Sequence, residues 1–132
     1  MSNIIYLDSE DIRYLHEEAL IRYGGIYGEH ESGMIDYMAD KPSMVIFSQD
    51  QYPDLFMKAA IYLHGFATHQ YFADGNKRTG VACALTFLLI NNYRVIISEN
   101  LLYIIAIRVA KKRLSIETLT ELLRRHSIPV KI

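Results

Sequence analysis

Apolar residues recur at helical spacing through most of the chain, and breaks in that pattern divide it into about six segments. Over residues 9–23, Ile12, Leu15, Ala19, Leu20 and Tyr23 share one face, Asp8 or Ser9 offers a cap, and Gly24-Gly25 stops the helix. A short second helix is predicted over 33–39 and ends at Lys41-Pro42. Residues 43–52 mix an apolar patch at 44–47 with polar positions, the pattern of a mobile loop or a short hairpin flap. Pro53 suits the first position of a third helix, whose Leu55, Phe56, Ala59, Ala60, Leu63 and Phe66 form a broad apolar face. A fourth helix opens near Asn76 and is apolar almost all round to Ile90, which predicts the centre of a bundle. Asn91-Asn92 ends it, and 93–97 reads as an extended connection. Ser98 caps a helix to about residue 112, and Ser115 caps a last one to about 125. The expected fold is an all-α helical bundle.

Composition narrows the classes. The chain has 132 residues, 51% of them apolar, which suits one domain with a real core. With 14 Lys and Arg against 15 Asp and Glu, its formal charge is −1, so nothing recommends a nucleic-acid surface. The cluster Lys111-Lys112-Arg113 near a helix end reads as a solvated group complementing the helix dipole. A single cysteine, Cys83, excludes an internal disulfide and sits in an apolar run where a buried, inert thiol is expected. The start of the chain lacks a signal-peptide pattern, and the longest apolar stretch, 81–90, is about half the roughly 20 residues of a membrane span. A cytoplasmic protein, away from membranes, is the expectation.

Chemistry concentrates in residues 69–80, His-Gln-Tyr-Phe-Ala-Asp-Gly-Asn-Lys-Arg-Thr-Gly, between the third and fourth helices. Gly75 permits a sharp turn, the following helix start offers unpaired N–H groups to an anion, and Lys77 and Arg78 add positive charge. Asp74 is placed to hold a magnesium ion. A Walker loop is excluded, because the upstream glycine is missing and no strand precedes the turn. His64 and His69 are five residues apart rather than three or four, which argues against a paired metal site on one helical face.

The stretch resembles the His-x-Phe-x-Asp-(Gly/Ala)-Asn-(Gly/Lys)-Arg motif of the Fic and death-on-curing (Doc) family. The resemblance extends to Arg-Tyr-Gly-Gly-Ile-Tyr-Gly at 22–28, to Ala59-Ala60 and to Leu-Ser-Ile-Glu at 114–117. Lys77 in place of the second motif glycine, and Val81 where longer relatives carry an arginine, favour the Doc branch. The resemblance implies roles by position: Phe72 anchors the loop, Asp74 binds the metal, Gly75 and Asn76 shape the anion hole, and Lys77 and Arg78 bind phosphate. It further implies a toxin that transfers phosphate, less readily AMP, from magnesium-bound ATP to a protein hydroxyl, with elongation factor Tu as a target. The chain carries no clear (Ser/Thr)-x-x-x-Glu-(Gly/Asn) inhibitory helix, so silencing is expected from a separate antitoxin protein.

One position departs from the pattern. An ungapped match sets Gln70, whose amide does not titrate near neutral pH, where the family keeps a histidine base. Catalysis then requires His69 to reach the site through a local bulge. Neighbouring helical positions point about 100° apart, so this means a change of backbone path. The alternative is a catalytically silent relative that binds nucleotide or a protein partner through the retained anion site.

Overall fold

Asp8 and Asp11 begin the first helix by capping it reciprocally: Asp11 N–H donates to the Asp8 carboxylate at 2.8 Å, and Asp8 N–H to that of Asp11 at 3.0 Å. In the computed structural model, which describes residues 3–31 and 33–131, helix α1 runs Ser9–Tyr23 and stops at Gly24. Helix α2 (Met34–Asp40) continues into a 3₁₀ turn, Lys41–Ser43, that accommodates Pro42. The expected flap is a two-rung hairpin, β1 (Val45–Ile46) with β2 (Gln49–Asp50), whose turn places Phe47 in solvent. It is tied to the bundle by Lys58, a fully buried lysine that donates to Pro42 O at 2.8 Å and to both Asp50 oxygens at 3.0 and 2.9 Å.

Helix α3 (Leu55–Thr68) starts two residues later than Pro53 suggested. Asp54 takes the cap position, accepting from Phe56 N–H at 2.9 Å and pairing with Arg124, so Pro53 precedes the cap instead of filling the first turn. Helix α4 (Asn76–Ile90) packs along α3, and these two helices form the centre of the molecule. Ala59, Ala60, Leu63 and Phe66 of the first, with Cys83, Phe87 and Leu88 of the second, are fully buried. Each large side chain among them contributes about 1.5–3 kcal/mol of transfer free energy. Burial pushes the Cys83 thiol up, away from the reactive thiolate form.

The 93–97 connection does more than extend. Strand β3 (Tyr93–Val95) pairs antiparallel with a C-terminal strand β4 (Ser127–Pro129), Arg94 standing opposite Ile128. Three-residue strands have no readable period, and this pair exists only because the chain returns past the bundle. Between them lie α5 (Glu99–Ala110) and α6 (Ile116–Arg125), capped by Ser98 and Ser115. Helix α5 ends before residue 112 because Lys112 adopts a left-handed φ of 59°. Among the described residues, no helix is long and apolar enough to cross a membrane.

Candidate active site

The 69–75 segment leaves α3 and turns into α4. Its path is fixed by two interactions at its centre. Phe72 is buried, with its ring stacked 3.6 Å from that of His16 and 5.8 Å from that of Phe66. Asn76, also buried, folds its amide back on the turn: Phe72 N–H donates to Asn76 Oδ1 at 3.0 Å, and Asn76 Nδ2 donates to Phe72 O at 2.9 Å. The asparagine is thus consumed in shaping the loop. Gly75 occupies the cap position of α4 with φ 77°, and no side chain caps this helix, so its first-turn N–H groups stay open to an anion.

A second loop completes the site. Residues after α1 run antiparallel to the motif: Ala73 N–H donates to Gly28 O and His30 N–H donates to Tyr71 O, both at 2.8 Å, around a bridge between Glu29 and Phe72. This pairing brings the glycine pair against Asp74, whose carboxylate accepts from Ile26 N–H at 3.2 Å and Gly75 N–H at 2.9 Å. Gly25 has φ 134°, and a β-carbon there would stand 2.9 Å from Asp74 Oδ2 and 2.7 Å from Leu20. Only glycine allows that approach.

Between these loops lies a cavity of about 430 Å³, with Asp74, Gly75, Asn76, Lys77 and Arg78 on one side and Tyr23, Gly24, Gly25 and Tyr103 on the other. Arg78 is held between two aromatic rings. Its guanidinium carbon lies 3.7 Å from the centroids of both Tyr23, at the end of α1, and Tyr103, on α5. Both flat faces are covered, so the guanidinium can donate only through its edge, the geometry that grips a phosphate by two parallel N–H bonds. Lys77 is half-buried beside it. Below the loop, His16 donates its Nε2–H to Asp74 O at 2.8 Å, and burial lowers its basicity.

Neither His69 nor Gln70 lines this cavity. His69 turns into a different cavity, lined also by His64, Val109, Lys112 and Ser115. Its Nδ1 lies 3.1 Å from Gly65 O, and its ring is stacked on Tyr71 at 4.8 Å. The structure therefore does not bring His69 together with Asp74, Asn76 and Arg78. Gln70 is exposed, and its carbonyl is bonded to His30 Nδ1 at 2.9 Å.

Sequence reasoning assigned no role in the site to His16, Tyr23, Gly25 or Tyr103. The signal for two of them was present in the Arg-Tyr-Gly-Gly run, where a second glycine beyond the helix stop marks a close backbone approach. Tyr103 and His16 sit on helices at ordinary amphipathic positions, and nothing local distinguishes them.

Asp74 is the motif's one carboxylate, and the described residues contain no cluster of three or more His, Cys, Asp or Glu suited to a metal. That donor set fits magnesium held by one carboxylate, with phosphate oxygens and water as the remaining ligands, better than a protein cage.

Over residues 6–88, which include both central helices and the loop between them, the chain matches the Fic/DOC family, and it belongs to that family. Its relatives include the protein named Toxin Doc of Mycolicibacterium smegmatis, 37% identical over 90 residues, 68% of this chain and 67% of that protein. The protein named Protein kinase doc of Escherichia phage P1 is 29% identical over 120 residues, 91% of this chain and 94% of its own length.

Proposed function

We propose that this chain is a Doc-type toxin that transfers the terminal phosphate of magnesium-bound ATP to a protein hydroxyl and is silenced by a partner antitoxin. The observation that carries this reading is the cavity at the start of α4, lined by an uncapped helix end, Lys77 and the clamped Arg78. The names of the two relatives support the toxin and kinase parts of it. In this reading the α4 amides and the Arg78 edge hold phosphate oxygens, Lys77 neutralises charge that develops on them, and Asp74 binds the metal. Magnesium would supply charge neutralisation between neighbouring phosphates. Catalysis then rests on positioning and electrostatics.

The test is incubation of the pure protein with magnesium and ATP labelled at either the α or the γ phosphate, with elongation factor Tu or bacterial lysate as acceptor. Label from the γ position on protein is the expected result. Label from the α position would instead establish AMP transfer, and no labelled protein from either nucleotide would refute the enzymatic reading. Gln70 supports a second reading, a silent relative that binds nucleotide without transferring any part of it. Its signature is calorimetric nucleotide binding with no labelled product.

A further inference from the structure

Transfer of phosphate to a hydroxyl releases a proton, and something beside the loop must take it. Among the described residues, five groups that touch or belong to the 69–78 stretch can accept one: Asp74, Glu29, His16, His69 and His30. Glu29 is bound by Arg13 through two N–H groups, which holds its carboxyl below the usual range and makes it a poor base. Asp74 is committed to two backbone N–H groups and to the metal role. His16 is 5% exposed, lies flat on Phe72 and spends Nε2–H on Asp74 O, so it does not meet a protein substrate arriving from solvent. His69 faces the cavity behind α3.

His30 differs from the other four. It is exposed, its backbone N–H is fixed to Tyr71 O, and its Nδ1 is 2.9 Å from Gln70 O. A carbonyl oxygen only accepts, so Nδ1 carries the hydrogen, and in the neutral ring Nε2 is the atom left to accept a proton. Gln70 lies two residues before Phe72, a span of at most about 7 Å, and Phe72 is held at both backbone groups by Asn76, the first residue of α4.

We propose that His30 is the general base of this chain, supplying from the opposite loop the imidazole that position 70 lacks. This rests on the phosphate-transfer reading above. The substrate hydroxyl oxygen bonds to the γ phosphorus, the bond between that phosphorus and the β–γ bridging oxygen breaks, the nucleoside diphosphate leaves, and the hydroxyl proton passes to His30 Nε2 and on to water. The Gln70 carbonyl orients the ring, and position 70 participates through its backbone rather than its side chain.

Four proteins test this: the wild type, His30→Gln, Gln70→His, and the double variant His30→Gln/Gln70→His, each assayed for label transfer from γ-labelled ATP and for nucleotide affinity by calorimetry. His30→Gln is expected to lower transfer about 10²–10⁴-fold with nucleotide affinity unchanged, and the double variant to recover it by restoring an imidazole at position 70. Wild-type transfer by His30→Gln overturns the proposal, as does an inert wild type beside an active Gln70→His. Absence of transfer by all four proteins overturns the phosphate-transfer reading itself, and the role of His30 with it.

Discussion

Replacing Tyr103 by leucine removes one of the two rings that cover Arg78 and separates two consequences of the clamp. The first is stability: a cation over an aromatic face contributes about 0.5–1 kcal/mol at exposed sites and about 2 kcal/mol when desolvated. Arg78 is half-buried and 3.7 Å from the ring, so the loss is expected between these limits, at about 1 kcal/mol. The second is affinity, and it does not follow from the first, because the clamp exists before any nucleotide binds. What the nucleotide gains is an arginine already ordered. Freeing the side chain means ordering it on binding, at about 0.5–1.5 kcal/mol for a rotamer-rich residue, so affinity should fall about 2- to 13-fold. Tyr103→Phe keeps the ring and should keep the affinity, since the ring face is what covers the guanidinium. Titration of each variant with ATP and magnesium in a calorimeter, alongside urea unfolding, reads both quantities. Equal affinity for Tyr103→Leu and wild type would refute the preorganisation argument, and equal losses for phenylalanine and leucine would show that the ring is not what matters.

Three other outcomes follow from the same geometry. Gly25→Ala forces a β-carbon against Asp74 and Leu20 at a φ that side chains rarely adopt, so a loss of about 1–3 kcal/mol in urea unfolding is expected, together with weaker nucleotide binding. Asp50→Asn should destabilise more than Lys58→Met, because the first leaves a buried ammonium with only Pro42 O and a weak amide acceptor, whereas the second leaves a carboxylate that water can reach. Lys58 holds the Asp50 carboxyl below its usual range, so this pair contributes fully above about pH 3.8 and is lost as pH falls through the lower folded value. Burial lowers His16 below 6.5, so the unfolded chain binds the extra proton first; stability should decline as pH drops below about 6.5, and thermal melts of His16→Asn should show a shallower decline across that range.

The bundle was legible because α1, α3 and α4 declare themselves through period, caps and glycine stops that act within one turn of the chain. Asp8, Ser98 and Ser115 cap where the pattern places a cap, and Gly24 ends α1 as its position demands. The misses share one cause, dependence on a distant partner. Strand β4 forms only because β3 passes beside it. Pro53 yields the helix start to Asp54, whose cap bond is reinforced by Arg124 on α6.

The same distinction runs through the site. The turn, the open helix start and the two cations lie within five residues, so Asp74 to Arg78 can be read in order, and the structure lines one cavity with them. Arg78 is gripped by Tyr23 and Tyr103, 55 and 25 positions away, and Asp74 by a loop 48 positions earlier in the chain. Gln70 is the sharpest case. Read along the chain it is a lost histidine, and the neighbouring His69 is the natural substitute. Read across the paired loops, the residue beside Gln70 is His30, joined to its carbonyl, while His69 leans on the helix it has just left. A substitution at a motif position removes an atom from the site only if nothing on the facing strand supplies it, and the pairing of 28–30 with 71–73 is what sets an imidazole there.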